Sequence, residues 1–443
     1  MNISCRNIGP DARLIVDRLH QNGFSAYVVG GAVRDLAMGK EPEDFDIATD
    51  AGPEQVSALF ERTIPVGAQF GVTLVILGGR SYEVARFRTD GMYEDGRRPV
   101  RVSPSTAEED VKRRDFTVNA LLYDCETEEV IDYVGGLRDI ENRIIRTIGD
   151  PKERFAEDRL RMLRAVRFAA RLEFSIEPAA MDAVREAAGT ITEVSPERIG
   201  QELAKMFSGA HPDRALELLD GSGLLGVVLP EVAALKGVEQ PPEFHPEGDV
   251  FAHTREMLRL WGGGSVTLGF GILLHDIGKP ATQTFEDRIR FSRHDTVGAR
   301  MACVILKRLR FSNDIRERIA FLVDRHMDFM NVPHMRRSVL RRFMSQEGFD
   351  ELLELHRLDV LASHEDLDVY DFVRKAMAEE TAVSPALPPP LVNGDDLIAL
   401  GYKPGPLFKT MLSWAYDEQL EGKLTTREEA IAAVRAEFPE AGE

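Results

Sequence analysis

In the first third of the chain, apolar residues fall in short runs set apart by glycine and polar turns. "FSAYVV" (24–29) and "DFDIAT" (44–49) read as strands, and "AVRDLAMG" between them reads as a helix closed by Gly39. "GVTLVILGGRSYEVARF" (71–87) predicts a hairpin turning on Gly-Gly, and "ALLYDCETEEVIDYV" (120–134) predicts another. From Asp150 onward the apolar spacing becomes helical, as in "ERFAEDRLRMLRAVRFAARL" (153–172) and "PERIGQELAKMFSG" (196–209). Breaks rich in proline, glycine and acid fall at 237–249 and 384–396. The pattern predicts an α+β head over 1–148 with a small mixed or antiparallel sheet, then all-α parts over 149–240, 241–380 and 381–443. No repeat of fixed period interrupts this plan.

Composition narrows the picture. A chain of 443 residues, 43% of them hydrophobic, is long enough for two to four domains. Its most apolar stretch, "LGFGILLH", is far too short to span a bilayer, and the first residues have no secretory pattern. Cys5, Cys125 and Cys303 are scattered, which excludes a zinc ribbon and a disulfide framework and fits a reducing cytoplasm. The net charge of −19 argues against a histone-like nucleic-acid binder. Two segments run against it. Residues 141–171 hold nine Lys/Arg against five Asp/Glu, and residues 307–342 hold ten against four. Such segments are either solvated helix faces or footprints for a polyanion.

The first chemical signal is the strand–Gly30–Gly31–helix junction, where a phosphate can meet backbone N–H groups and Arg34. The full GxGxxG pattern is absent, so a dinucleotide cradle is a poor fit. Asp44 and Asp46 are sharper. On a strand, residues i and i+2 share a face, and two carboxylates there suit divalent ions such as magnesium. Paired ions can hold the attacking and leaving oxygens of a phosphoryl transfer. An acidic surface turn is the ordinary alternative.

"GGAVRD" followed by "DFD" resembles the first signature of the class II nucleotidyltransferases, the tRNA CCA-adding enzymes and bacterial poly(A) polymerases of the polymerase-beta superfamily. "RRDFTVNAL" (113–121), "DYVGGLRDI" (132–140), "EDRLRMLRAVRFAARL" (157–172), "SPERIGQEL" (195–203) and the tail "GYKPGPLFKTMLSWAYDEQLEG" resemble later family motifs, in order, over essentially the whole chain. The resemblance implies that Gly30, Gly31 and Arg34 contact the triphosphate, and that Asp44 and Asp46 hold magnesium and help activate an RNA 3′-hydroxyl. Asp110 is the candidate third carboxylate, with Glu109 its competitor. Arg114, or Arg113, would bind phosphate, and Asp115 and Asn119 would position ribose or the active-site strand. It further implies tRNA, CTP and ATP as partners.

Asp158, Arg161, Arg164 and Arg167 recur every three residues and would fan across one side of a helix. Asp158 can accept from a base amino group while Arg161 donates to a ring nitrogen or carbonyl, a pair able to read cytosine and adenine. Arg164 and Arg167 would serve the triphosphate or orient the helix. The polar stretch 88–110 resembles the mobile loop that C-only family members lack. CCA, A-only and poly(A) addition remain open, as does the oligomeric state.

A second constellation follows: His253, His275, Asp276, His294, His326 and Asp359, with Lys279 beside them. This order resembles the HD metal-dependent phosphohydrolase superfamily. Imidazole with carboxylate suits manganese, nickel or magnesium, and an aspartate beside a histidine can bridge two ions. Lys279 would stabilise developing charge. His245, His334, His356 and His364 fit no motif and read as surface or linker residues. The combined reading is a template-independent tRNA nucleotidyltransferase. A hydrolase of nucleotides or 2′,3′-cyclic phosphate ends is the reading from a different class.

Overall fold

The structure, a computed structural model, describes residues 7–66, 71–90, 102–241, 248–285, 288–383 and 387–439. His245 and residues 91–101 of the expected loop lie outside the described residues. Two compact units emerge: Met1–Ala234 with Gly262–Gly269 and Ile305–Ser312, and the remainder from Leu235 to Glu443.

Among the described residues of the first unit, the strands and helices that frame the site are as follows. The strands are β1 (Ala26–Val29), β2 (Asp46–Thr49), β3 (Thr63–Pro65), β4 (Val72–Leu77), β5 (Arg80–Arg86), β6 (Arg88–Asp90), β7 (Val102–Pro104), β8 (Leu122–Asp124) and β9 (Glu129–Ile131). The helices are α1 (Pro10–Gln21), α2 (Gly31–Ala37), α3 (Pro53–Leu59), α4 (Ala107–Lys112), α5 (Gly136–Glu141), α6 (Pro151–Glu157), α7 (Leu160–Leu172), α8 (Pro178–Ala187) and α9 (Pro196–Phe207). Seven strands form one sheet in the order β3-β4-β5-β2-β1-β8-β9. It is mixed: β2 runs parallel to β5, while every other neighbouring pair is antiparallel. Both hairpins read from the sequence occur. Gly78 and Gly79, with φ of 57° and 78°, make the first turn, a conformation glycine adopts without strain. One side of the sheet is covered by a cluster of Val29, Ala48, Phe87, Val111, Ala120, Leu122 and Ile148.

The motif "DYVGGLRDI" proves to be scaffolding for "RRDFTVNAL". The Asp132 carboxylate accepts from the amides of Val134, Gly135, Gly136 and Leu137 at 2.8–3.1 Å, fixing the entry to α5. Buried Asp139 accepts from the Thr117 hydroxyl at 2.7 Å and from Arg146 at 3.0 Å. A Cβ on Gly136 would lie 2.3 Å from the Thr117 carbonyl oxygen, so α5 and the Thr117 turn meet backbone to backbone. Gly136→Ala is expected to lower the unfolding free energy by about 1–3 kcal/mol, as overpacking does. Thermal melting checks this; an unchanged midpoint would mean α5 can retreat.

In the second unit, helices dominate. Val250–Trp261, Asn313–Arg325 and Phe349–Ala362 carry the metal-ligand residue types or pack beside them, and the tail builds a small core of its own from Val392, Leu397, Met411, Ala415, Leu424, Ala430 and Val434. No helix among the described residues is long and apolar enough to cross a membrane.

Candidate nucleotide and metal sites

A cleft of about 560 Å³ in the first unit is lined by Gly30, Gly31, Arg34, Asp44, Asp46, Arg113, Arg114, Asp115, Asn119, Asp158, Arg161, Arg164 and Arg167. All the head residues singled out above gather here except Glu109 and Asp110.

Asp44 and Asp46 do not share a strand as expected. β2 begins at Asp46, and Asp44 lies in the lead-in. Both nevertheless face the cleft. Asp46 is exposed to solvent but crowded: burial by surrounding atoms, then Glu83 and Asp44, push its carboxyl up to about 6, against the pull of Arg114. Glu83 belongs to β5, which pairs with β2 in parallel as Ile47↔Val84. One residue back along that register sets Glu83 beside Asp46. Its side chain is exposed while Tyr82 and Val84 on either side are buried.

Asp110, the expected third carboxylate, lies apart from this pair. It is 2% exposed and accepts from Arg113 at 2.7 Å, Arg114 at 3.1 Å and the Arg88 amide at 3.2 Å. Both oxygens are occupied, and among the described residues it does not line the cleft. Its carboxylate aims Arg113 and Arg114, both of which line the cleft. Glu109 caps α4 in a reciprocal bond with Thr106.

The double glycine also works differently in part. Gly30 has φ of 72° and its N–H donates to the Leu121 carbonyl at 3.1 Å, so that donor extends the sheet. A Cβ there would meet Arg114 Nη1 at 3.4 Å. Arg34 is buried, donates to Asp35 at 2.8 Å and to the Asn119 side-chain oxygen, and lies 5.7 Å from the Phe168 ring. The amide nitrogen of Asn119 is buried without a partner among the described residues.

The row Asp158, Arg161, Arg164 and Arg167, expected along one helix, is broken at its first member. α6 ends at Glu157, Asp158 is extended with φ −142°, and its carboxylate accepts from the Leu160 amide at 3.1 Å to start α7. Asp158 is held on its other side by Arg198 of α9, at 2.9 Å. Arg161, 7% exposed, is aimed by Glu157 at 2.6 Å and by the carbonyls of Arg154 and Arg113 at 3.0 and 3.2 Å. Arg154 donates to the carbonyls of Arg113 and Arg114 at 2.6 and 2.7 Å. The α6–α7 junction is thereby bonded directly to the backbone of "RRDFTVNAL". Asp115 accepts from Arg164 at 2.7 Å; burial raises the carboxyl, but the Arg164 guanidinium outweighs it and holds Asp115 below its usual range. Arg167 donates to buried Glu202 at 2.6 Å, 4.2 Å from the Phe168 ring. Glu83, Glu157, Arg198 and Glu202 are the residues that sequence reading missed here, along with Arg171 and Lys205 in the cleft lining. For Glu202 the signal was a lone acid on the apolar face of an amphipathic helix.

In the second unit the six expected ligand types form two groups, each with ligand atoms within 4.8 Å: His253, His275 and Asp359, and Asp276, His294 and His326. His275, His294 and His326 each place Nδ1 2.6–2.8 Å from a backbone carbonyl three residues earlier, which assigns the proton to Nδ1 and leaves Nε2 as the ligand atom. Asp276 joins the groups. Its Oδ2 lies 3.1 Å from His275 Nε2, and its Oδ1 lies 3.3 Å from His294 Nε2. Burial drives His326 down to about 4, with His275 and His294 adding to it, so its ring is neutral as a metal ligand must be. Burial alone would raise the Asp276 carboxyl; His275 and Lys279 instead hold it well below its usual range. These donors, all buried save half-buried Asp359, fit a pair of divalent ions. The Lys279 ammonium is engaged by Asp276 and by the Gln240 side-chain oxygen, both at 2.6 Å. Two histidines left out of the motif belong to the surroundings after all. Half-buried His356 and exposed His364 line a cavity of about 990 Å³ over this cluster, while His334 is exposed as expected.

The chain matches the family described as Poly A polymerase head domain over residues 26–146. It also matches Probable RNA and SrmB-binding site of polymerase A over 173–236 and HD domain over 249–363. It is 47% identical over 211 residues to the CCA-adding enzyme of Bacillus licheniformis, covering 47% of this chain and 53% of that protein. For the CCA-adding enzyme of Geobacillus stearothermophilus the identity is 48% over 211 residues, with 47% and 52% covered. The match therefore spans about half the length of these curated relatives. Among solved structures, the Bacillus stearothermophilus CCA-adding enzyme in complex with CTP superposes with a TM-score of 0.73 at 28% identity, covering 97% of this chain and 98% of that one. The Thermotoga maritima CCA-adding enzyme complexed with tRNA shares the fold, with a TM-score of 0.60 at 18% identity over 96% of this chain and 94% of that one.

Proposed function

We propose that the chain is a class II tRNA nucleotidyltransferase that adds the 3′-terminal CCA to tRNA from CTP and ATP, releasing diphosphate. The observation that carries this reading is one cleft that holds Asp44 and Asp46 at one part and Asp158 and Arg161 at another. The first pair suits phosphoryl transfer and the second suits base reading. Asp44 and Asp46, with Glu83, would hold magnesium, which when bound neutralises triphosphate charge and favours the in-line displacement. Gly31, Arg34 and Arg114 bind the triphosphate. Asp158 accepts from the exocyclic amine that cytosine and adenine share, and Arg161 donates to the ring. Arg198 holds Asp158 and Glu157 holds Arg161. A rigid protein edge thus replaces a template. Asp115 and Arg164 form an ion pair in the same cleft, where Asp115 and Asn119 would position the ribose.

Incubation of the full chain with tRNA lacking CCA, magnesium and each nucleotide alone or together tests this. Extension by three residues only with CTP plus ATP is the expected result. One added A would identify an A-adding enzyme, a long A tail would identify a poly(A) polymerase, and no extension would defeat the reading. A second reading stands beside it because the two ligand groups in the second unit are complete. We infer that this site hydrolyses phosphoesters of the nucleotide or 2′,3′-cyclic phosphate class, with manganese, nickel or magnesium ions that would polarise water there.

A further inference from the structure

The cavity over the HD cluster is much larger than a phosphate needs. Its floor includes Asp276, His294, His326 and Asp359, yet it extends to about 990 Å³. A drug-sized ligand occupies roughly 300–1,000 Å³, so room remains for a substantial organic group. The rest of the wall says what kind of group. Phe291, Met327, Met330 and Val360 make one side apolar, and Met330 is 71% exposed at the mouth. Val360 is buried and Phe291 and Met327 are half-buried, so the apolar side is built in, with Met330 alone of these four standing open beside the polar site. Methionine adapts its shape to flat and irregular partners alike.

Within this wall is a flat aromatic platform. The His356 ring lies on the Phe329 ring at 4.1 Å between centroids and 4° between planes. Phe329 is itself braced by Phe343 at 5.3 Å and Phe349 at 6.1 Å, so the platform is rigid from behind. The His356 Nε2 is buried with no hydrogen-bond partner among the described residues. A buried nitrogen left unpaired is costly, and ring stacking alone does not explain keeping a histidine there rather than a phenylalanine. Arg288, exposed on the hairpin strand Ile289–Phe291's approach, adds a cation to the same wall.

We propose that this wall is a nucleobase subsite: the phosphoester lies at the HD cluster while the attached base rests against the His356–Phe329 stack, between Met327 and Met330. This rests on the phosphohydrolase reading above and deepens it, because it makes the second site selective for esters that carry a base. An aromatic base gains about 1–3 kcal/mol from one aromatic platform, enough to separate a nucleotide from the same ester without its base.

The test uses the full chain labelled with 13C-methyl methionine, treated with EDTA, and two probes: adenosine 2′,3′-cyclic phosphate and 1-O-methylribose 2,3-cyclic phosphate. The expected result is that the nucleotide shifts the Met327 and Met330 methyl signals, assigned by replacement with leucine, and binds at least about tenfold more tightly than the base-free ester. Met330→Glu, at an exposed position that should not disturb folding, and His356→Ala are both expected to weaken the nucleotide about tenfold and leave the base-free ester within about twofold. With manganese present, the same variants should raise KM for the nucleotide and spare kcat. Equal binding of the two probes, or methyl signals that do not move, would overturn the subsite. Absence of ion binding together with absence of hydrolysis of either ester would overturn the phosphohydrolase reading instead, while the methyl shifts would still decide the subsite.

Discussion

Asp46→Asn is expected to abolish nucleotide addition, by at least about 10³-fold, while making the metal-free protein more stable. The two effects have one cause. Asp46 stands on the first residue of β2, with Glu83 on the adjoining strand and Asp44 close by, and its carboxyl is pushed up to about 6 by crowding and by those two acids. The sign follows from linkage. The carboxyl is raised in the folded chain, so the folded state holds the proton more tightly than the unfolded state. Stability from this group is therefore fully present below the unfolded value of 3.8 and is lost as pH rises through about 6. At pH 8 without ions, three acids repel one another, and asparagine relieves that repulsion. Magnesium reverses the order, because only the parent site gains a ligand. Melting at pH 5 and pH 8, with and without magnesium, checks it. Residual addition above about a tenth, or a lower melting point for the variant at pH 8 without ions, would show that Asp46 is not a strained metal ligand.

What the sequence made legible was local. Both hairpins, the Gly39 helix stop and the ordered set of metal-ligand types could be read because each depends on neighbours in the chain. Glu83 could not. It looks like the solvent side of an alternating strand, and only the parallel pairing of β2 with β5 brings it to Asp46. Asp110 beside "RRDF" is the carboxylate that the motif brings forward, and its two arginine partners come from the same short stretch. Asp158 was placed on a continuous helix by its three-residue spacing. Its own side chain ends that helix by accepting the Leu160 amide, a competition between side chain and backbone that periodicity does not report. His356 carried no motif at all. Its place came from a stack with Phe329, twenty-seven residues earlier, that no spacing rule connects.

Asp276→Asn is expected to remove phosphoester hydrolysis at the second site, by about 10²–10³-fold, and to leave CCA addition within about twofold. Asp276 reaches both ligand groups, with Oδ2 toward His275 and Oδ1 toward His294, so an amide there cannot join two ions. Metal content, measured by mass spectrometry after manganese loading, should fall from two ions per chain to at most one. The variant also loses stability. Lys279 is 7% exposed and would lose its only carboxylate partner among the described residues, and removing one charge of a buried pair costs roughly 3 kcal/mol. The carboxyl is held well below its usual range by His275 and Lys279 in spite of burial, so its contribution is present above that range and is lost only as pH falls through the folded value. At neutral pH the variant therefore forfeits it in full. His326→Ala separates chemistry from folding, since it keeps the Asp276–Lys279 pair and the His253, His275 and Asp359 group. It should lose one ion and most hydrolysis with a smaller change in melting point. Two ions retained in either variant would mean that the groups do not form a bridged pair. Loss of CCA addition alongside hydrolysis, with the melting point unchanged, would mean that the two chemistries share a site.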